Sequence, residues 1–153
     1  MATVSRKPAH TRVGDPVLAR RLEAALEGDV LFEAFDRARY ATDASIYQIE
    51  PLGVVRPRSK ADVEAALAIA RAEGVSVLPR GGGTSQAGQT VGRSLVMDNS
   101  RWLTGIREVD PQARTVWVEP GVVLDELNRA LKPYGLFYPV DVSTGSRATL
   151  GGM

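Results

Sequence analysis

The stretch Leu78–Gly92, "LPRGGGTSQAGQTVG", sets three glycines directly behind a short apolar run, and its reading decides how the rest of the chain is arranged. The preceding "VSVLP" (75–79) has the length and β-branched content of a strand. Glycines at the carboxyl end of a strand leave backbone N–H groups bare, and a concave run of such donors suits an anion, above all a phosphate or pyrophosphate. A plain flexible turn is the alternative reading of the triplet.

Working back from the loop, Ser59-Lys60-Ala61-Asp62 resembles a capping box, and Val63, Ala66, Leu67 and Ala70 share one face up to Gly74. This spacing predicts a helix over 60–73. Before it, Gly53–Arg56 reads as a short buried strand. Strand, helix and strand with short connections predict a βαβ unit, a parallel pair with a right-handed crossover. The glycine loop then begins at the carboxyl end of the second strand.

Nearer the N-terminus, Asp15-Pro16 starts an amphipathic helix carrying Leu18, Leu22, Ala25 and Leu26 as far as Gly28. Residues 29–41 continue in helical style, with Leu31, Phe32 and Phe35 on one side, until "YATDASIYQIEP" (40–51) breaks the pattern. Residues 1–13 read as a solvated, flexible tail, 14–41 as a helical segment, and 42–153 as the main domain.

Downstream, "SLVMD" (94–98) reads as a third strand, and "GIREVD" (105–110) and "TVWVEP" (115–120) flank Pro111-Gln112-Ala113 as an antiparallel hairpin. The sheet is therefore expected to be mixed and the fold α+β. Val122–Leu131 forms a further helix with Leu124, Leu127 and Leu131 inward, closed by Pro133 and Gly135. Beyond it no regular period survives, and a chain that stops on Gly-Gly-Met reads as a piece cut from a longer protein.

Composition excludes several functions. The 19 basic and 18 acidic residues of the 153 leave a net charge of +1, so no electrostatic footprint for nucleic acid or an anionic membrane is present. No apolar run approaches the ~20 residues that span a bilayer. The absence of cysteine removes disulfides, thiolate catalysis and iron–sulfur ligation from this chain, and fits a reducing compartment. The one histidine, His10, lies in the polar start. No metal-ligand cluster is expected.

Spacing separates the loop from the two commonest nucleotide-binding loops. A Walker loop needs a Gly-Lys-Ser/Thr ending, whereas Gly83 is followed by "TSQAGQT", with no lysine. The G-x-G-x-x-G fingerprint would take Gly81 and Gly83 but meets Gln86 at its last glycine. What remains are Arg80 as a cation, the hydroxyl and amide groups of Thr84, Ser85 and Gln89, and a second close approach at Gly88.

Three segments, "VVRPRSKADVEAALAIARAEGVSVLPRGGGTSQAGQ" (54–89), "VEPGVVLDELNRALKPYGLFYPVD" (118–141) and the terminal "TLGGM", resemble the flavoproteins of the vanillyl-alcohol oxidase and para-cresol methylhydroxylase type. Within that family they look most like the D-lactate, glycolate and D-2-hydroxyglutarate dehydrogenase branch, including bacterial members with a C-terminal iron–sulfur region. The resemblance covers about residues 40–153. It implies the first subdomain of a two-subdomain FAD-binding fold, C-terminally incomplete, with an N-terminal helical extension.

The resemblance carries the FAD pyrophosphate onto Arg80, Gly81, Gly82, Gly83, Thr84 and Ser85, supported by Gly88 and Gln89. It implies Pro139, Asp141, Ser146, Thr149, Gly151 and Gly152 as neighbours of the ribityl chain and flavin ring, with a plain turn the alternative for Pro139 and Asp141. Some relatives attach FAD through a histidine at the position matching Thr84, so flavin here is expected to be noncovalent.

Tyr40 and Asp43 come near the cofactor edge or, for Asp43 with Ser45, form a turn or cap. Trp102, Trp117 and Tyr134 read as core or surface aromatics rather than flavin-stacking groups. The whole protein is then expected to pass a hydride from a 2-hydroxy acid to FAD and electrons onward to another carrier, in the cytoplasm or peripheral to the inner membrane. The catalytic base and any iron–sulfur cluster would lie in chain beyond Met153, leaving residues 1–153 inactive alone. A non-catalytic flavin or nucleotide module, or an oxidase of another alcohol or ether lipid synthase on the same fold, are the alternatives.

Overall fold

The computed structural model describes residues 12–153. The tail assigned to 1–13 and His10 therefore lie almost wholly outside the described residues. The element order is α1 (Pro16–Glu23), β1 (Asp29–Leu31), α2 (Ala34–Arg39), β2 (Gly53–Arg56), α3 (Lys60–Glu73) and β3 (Val77–Arg80). There follow β4 (Leu95–Asp98), β5 (Ile106–Asp110), β6 (Thr115–Val118), α4 (Leu124–Leu131) and a single 3₁₀ turn at Lys132–Tyr134.

The main sheet has the order β1-β2-β4-β3, with β2, β4 and β3 parallel and β1 antiparallel at the edge, so it is mixed as expected. Two local expectations change. Residues 29–31 pair with Arg56–Val54 as a strand instead of extending the first helix, because Val30 and Leu31 gain a ladder partner. The βαβ strands β2 and β3 are not direct neighbours, since β4 inserts between them and pairs with both.

That insertion follows from hydrophobicity. β4 is buried at all four positions, whereas β3 exposes Pro79 and leaves its other residues half-buried, so β4 takes the centre and β3 the edge. Leu95, Met97 and Val55 face one core with Leu18 and Leu22 of α1, Leu26 just after it, and Ala66 and Ala70 of α3. Helix α1 thus shares the core of the sheet.

Both long-range helix starts are capped as their residues suggest. Asp15 accepts from Val17 N at 2.8 Å, and Ser59 accepts from Asp62 N at 3.2 Å. Asp62 itself is buried and receives three backbone donors, Glu27 N, Gly28 N and Arg58 N at 3.0, 2.9 and 2.8 Å. One carboxylate thereby ties the end of the α1 region and the chain after β2 to the first turn of α3.

A second, smaller core packs Val122 and the α4 residues Leu127 and Leu131 on the β5–β6 hairpin. Helix α4 starts at Leu124, two residues later than expected, and has no side-chain cap. Instead its first amides donate to carbonyls of the C-terminal segment, Leu124 N to Ala148 O at 3.0 Å and Asp125 N to Gly145 O at 3.1 Å. The irregular residues 144–151 are held in place by a helix end that needs acceptors.

Candidate functional site

The parallel strands β2, β4 and β3 end on one edge, and the glycine loop leaves that edge after Arg80. It runs against the 147–152 segment: a Cβ built on Gly82 falls within 3.0 Å of Arg147 O, and one on Gly81 falls within 3.0 Å of Thr149 Oγ1. Two of the three glycines are thus required by protein packing. Gly83 is required by conformation, with φ 65° between neighbours of ordinary φ.

A left-handed residue in such a run turns successive N–H groups inward. Among the described residues, the amides of Gly82, Gly83, Thr84 and Ser85 donate to no protein acceptor. The Ser85 hydroxyl turns inward to its own loop, accepting from Gln89 N at 3.2 Å and donating to the Gln89 side-chain carbonyl. Ser85 and Gln89 therefore shape the loop.

The loop forms one wall of an open cleft of about 500 Å³, lined also by Val140, Val142, Thr144, Ala148, Thr149 and Gly152. No acidic side chain lines it. Thr149 is 2% exposed, and its hydroxyl has no hydrogen-bond partner among the described residues. A buried hydroxyl left unpaired costs about 1–3 kcal/mol, which a ligand acceptor would recover. Bare amides, an orphaned hydroxyl and the lack of carboxylates together fit a diphosphate.

Of the residues expected at the site, Gly81, Gly82, Gly83, Thr84, Ser85, Gln89, Thr149 and Gly152 line this cleft. Arg80 and Gly151 line a smaller adjoining pocket of about 180 Å³. Gly88, with φ 78°, lies beneath the Tyr47 ring at the loop's far end. Pro139, Asp141 and Ser146 are exposed and line neither space.

The reason is the period of an extended chain. Alternate residues face opposite sides, so Val140 and Val142 enter the cleft while Pro139 and Asp141 point away. The apolar alternation Val140, Val142 was the available signal. Tyr138 N, donating to Asn128 Oδ1 at 2.7 Å, anchors this segment to α4.

The far face of the loop borders a second cleft of about 490 Å³, which brings Arg39, Asp43, Arg80 and Arg147 next to Gly82, Gly83 and Thr84. Asp43 does form the expected turn, accepting from Ser45 N at 2.8 Å, and also accepts from Thr90 Oγ1 at 3.1 Å. Partial burial pushes its carboxyl upward, but these hydrogen bonds outweigh burial and hold it below the usual range. Tyr40 donates to Asp98 Oδ2 at 2.7 Å; burial first, then that bond and the Asp98 charge, push its phenol above the ordinary tyrosine value.

The three aromatics stand apart from both clefts. Trp102 donates to Asp29 Oδ2 at 2.8 Å and is stacked by Arg58 and Arg101, while Trp117 and Tyr134 are exposed. Among the described residues no helix is long and apolar enough to cross a membrane, and no group of acidic, histidine or cysteine side chains could hold a metal.

The chain is 40% identical over 153 residues to D-2-hydroxyglutarate dehydrogenase of Escherichia coli (strain K12), a match covering 98% of this chain and 15% of that protein. It is 35% identical to glycolate oxidase subunit GlcD of Bacillus subtilis (strain 168), over 76% of this chain and 25% of that one. It therefore spans only about a seventh to a quarter of such relatives. Its fold matches that of an alkyldihydroxyacetonephosphate synthase with a TM-score of 0.78 at 23% identity, covering 95% of this chain and 31% of the synthase. Residues 51–153, from the start of β2 through the glycine loop to the last glycine pair, match the model of the FAD binding domain, and the chain belongs to that family.

Proposed function

We propose that this chain is the FAD-binding segment of a flavin-dependent dehydrogenase that oxidises a D-2-hydroxy acid, with D-2-hydroxyglutarate as the substrate. The observation that carries the cofactor half is the run of four unpaired amides at Gly82–Ser85 beside the unpaired Thr149 hydroxyl. These groups suit the diphosphate of FAD. The substrate is supported by the 40–45% identity to D-2-hydroxyglutarate dehydrogenases.

FAD bound here supplies the two-electron acceptor. The residues of this chain bind and orient it: the loop amides and Thr149 take the diphosphate, and the apolar Val140, Val142 and Ala148 flank the remainder of the cleft. The resemblance places Thr84 where some relatives carry a covalent histidine, and this segment has no cysteine, so the segment holds the flavin noncovalently. The acceptor of its electrons is a separate carrier, and the protein is cytoplasmic.

The test uses the intact protein. Acid precipitation should release all of its yellow flavin into the supernatant, and anaerobic D-2-hydroxyglutarate should bleach the flavin faster than D-lactate or glycolate. Flavin that stays with the pellet overturns noncovalent binding. Bleaching by another 2-hydroxy acid at a higher rate overturns the substrate, and absence of flavin overturns the whole reading.

A further inference from the structure

Of the three guanidinium groups in the cleft behind the glycine loop, Arg39 is paired with Asp36, and the other two differ in their surroundings. Arg80 is committed to carbonyl oxygens: Nη1 donates to Thr90 O at 3.2 Å and Tyr40 O at 3.4 Å, and Nη2 donates to Thr42 O at 2.9 Å. Its guanidinium also lies 5.3 Å from the Tyr40 ring centroid. Tyr40 is fixed by buried Asp98, and Thr90 by Asp43. A side chain at the first residue of the excursion 80–90 thus grips its last residue and the 40–42 segment together.

Arg147 has the opposite character. Its backbone carbonyl packs against Gly82, yet its exposed guanidinium makes no ion pair or hydrogen bond among the described residues. It lines the cleft on the far face of the loop, with Gly82, Gly83 and Thr84, and the carboxylate of that cleft, Asp43, is taken up by Ser45 N and Thr90 Oγ1. The same three loop residues also line the first cleft, so a cation without an ion pair stands across the loop from the diphosphate site, within the field that draws a phosphate.

We propose that the two arginines divide the work of the loop: Arg80 is a positioning residue that closes loop 81–90 before any ligand arrives, and the exposed Arg147 side chain reaches over the loop from its far face to present the cation that meets the diphosphate. This rests on the glycine loop being the diphosphate site. Arg80 suits its part because a planar guanidinium offers five fixed donors to three carbonyls, which a lysine ammonium cannot copy. Arg147 needs only charge and reach, so lysine substitutes there.

The experiment is limited proteolysis of the flavin-free intact protein, with cleavage inside 81–90 quantified by mass spectrometry, with and without inorganic pyrophosphate. Arg80→Lys should accelerate loop cleavage several-fold without ligand, and Arg147→Gln should leave it at the wild-type rate. The milder Thr90→Val keeps the carbonyl that Arg80 grips but frees that residue from Asp43, and so should shift cleavage in the same direction as Arg80→Lys if the latter folds poorly. Pyrophosphate should slow cleavage in wild type and Arg147→Lys but not in Arg147→Gln, whose FAD dissociation constant should rise about tenfold, as expected for one charge-assisted hydrogen bond.

Wild-type loop cleavage in both Arg80→Lys and Thr90→Val overturns the clasp. Undiminished pyrophosphate protection in Arg147→Gln overturns the second assignment. If pyrophosphate protects as described while FAD does not bind, the division of labour stands and the flavin reading alone fails.

Discussion

The hydroxyl of Thr149 stands where a Cβ on Gly81 would lie, so the glycine loop and the last turn of the chain close on each other at a distance only glycine permits. Gly82 makes the equivalent approach to the carbonyl of Arg147. The glycine run therefore seats protein against protein on one side while offering amides to the cleft on the other.

Gly82→Ala should displace the loop, because the obstructing atom is a backbone oxygen that cannot rotate away. A cost of about 1–3 kcal/mol, typical of overpacking, is expected in urea denaturation, together with loss of bound flavin. Gly82→Asp adds a carboxylate beside the bare amides and should abolish flavin retention. Full flavin content in Gly82→Asp would remove the loop from the cofactor site.

Thr149→Val separates stability from binding. Because the buried hydroxyl has no partner, its isosteric removal should raise the unfolding free energy of the flavin-free protein by about 1 kcal/mol. The same change should weaken FAD. A loss of stability in the flavin-free state would mean that the hydroxyl is already satisfied within the protein.

Tyr40 makes stability depend on alkaline pH. Its phenol is raised in the folded state, so the neutral form is favoured there; the stabilisation is complete below the unfolded tyrosine value of about 10 and is lost as pH rises above it. Tyr40→Phe should remove this part of the alkaline loss and cost about 1–3 kcal/mol at neutral pH by leaving Asp98 Oδ2 without its donor. Denaturation curves at neutral and alkaline pH, compared between the two proteins, measure both effects.

Asp62→Ala strips the acceptor from three backbone amides at once and should cost about 3 kcal/mol or more. Asp62→Asn keeps one carbonyl oxygen and should lose about half as much. Equal losses in the two variants, read from urea midpoints, would show that the charge matters more than the acceptor count.

The elements legible in the sequence were those whose residues alone set their conformation. Helix α3 appeared over 60–73 because Ser59 caps it and Gly74 ends it, and the hairpin appeared from its strands and turn. The strand at 29–31 was not legible, since three residues carry no period and depend on the register they share with β2. At the site, the glycine loop could be read as an anion cradle, whereas the alternation of Val140 and Val142 marks an inward pair only once that segment is placed along the cleft.

Sequence alone determined that a glycine triplet without a following lysine leaves the end of a strand, because that depends on residue identity and local spacing. Only the tertiary structure decided that β4 lies between β2 and β3 and that, among the described residues, Arg80 is occupied by carbonyls while the Arg147 guanidinium and the buried Thr149 hydroxyl have no partner. Those facts come from contacts between segments tens of residues apart, and no local pattern encodes which of two arginines will find carbonyl partners when the chain closes.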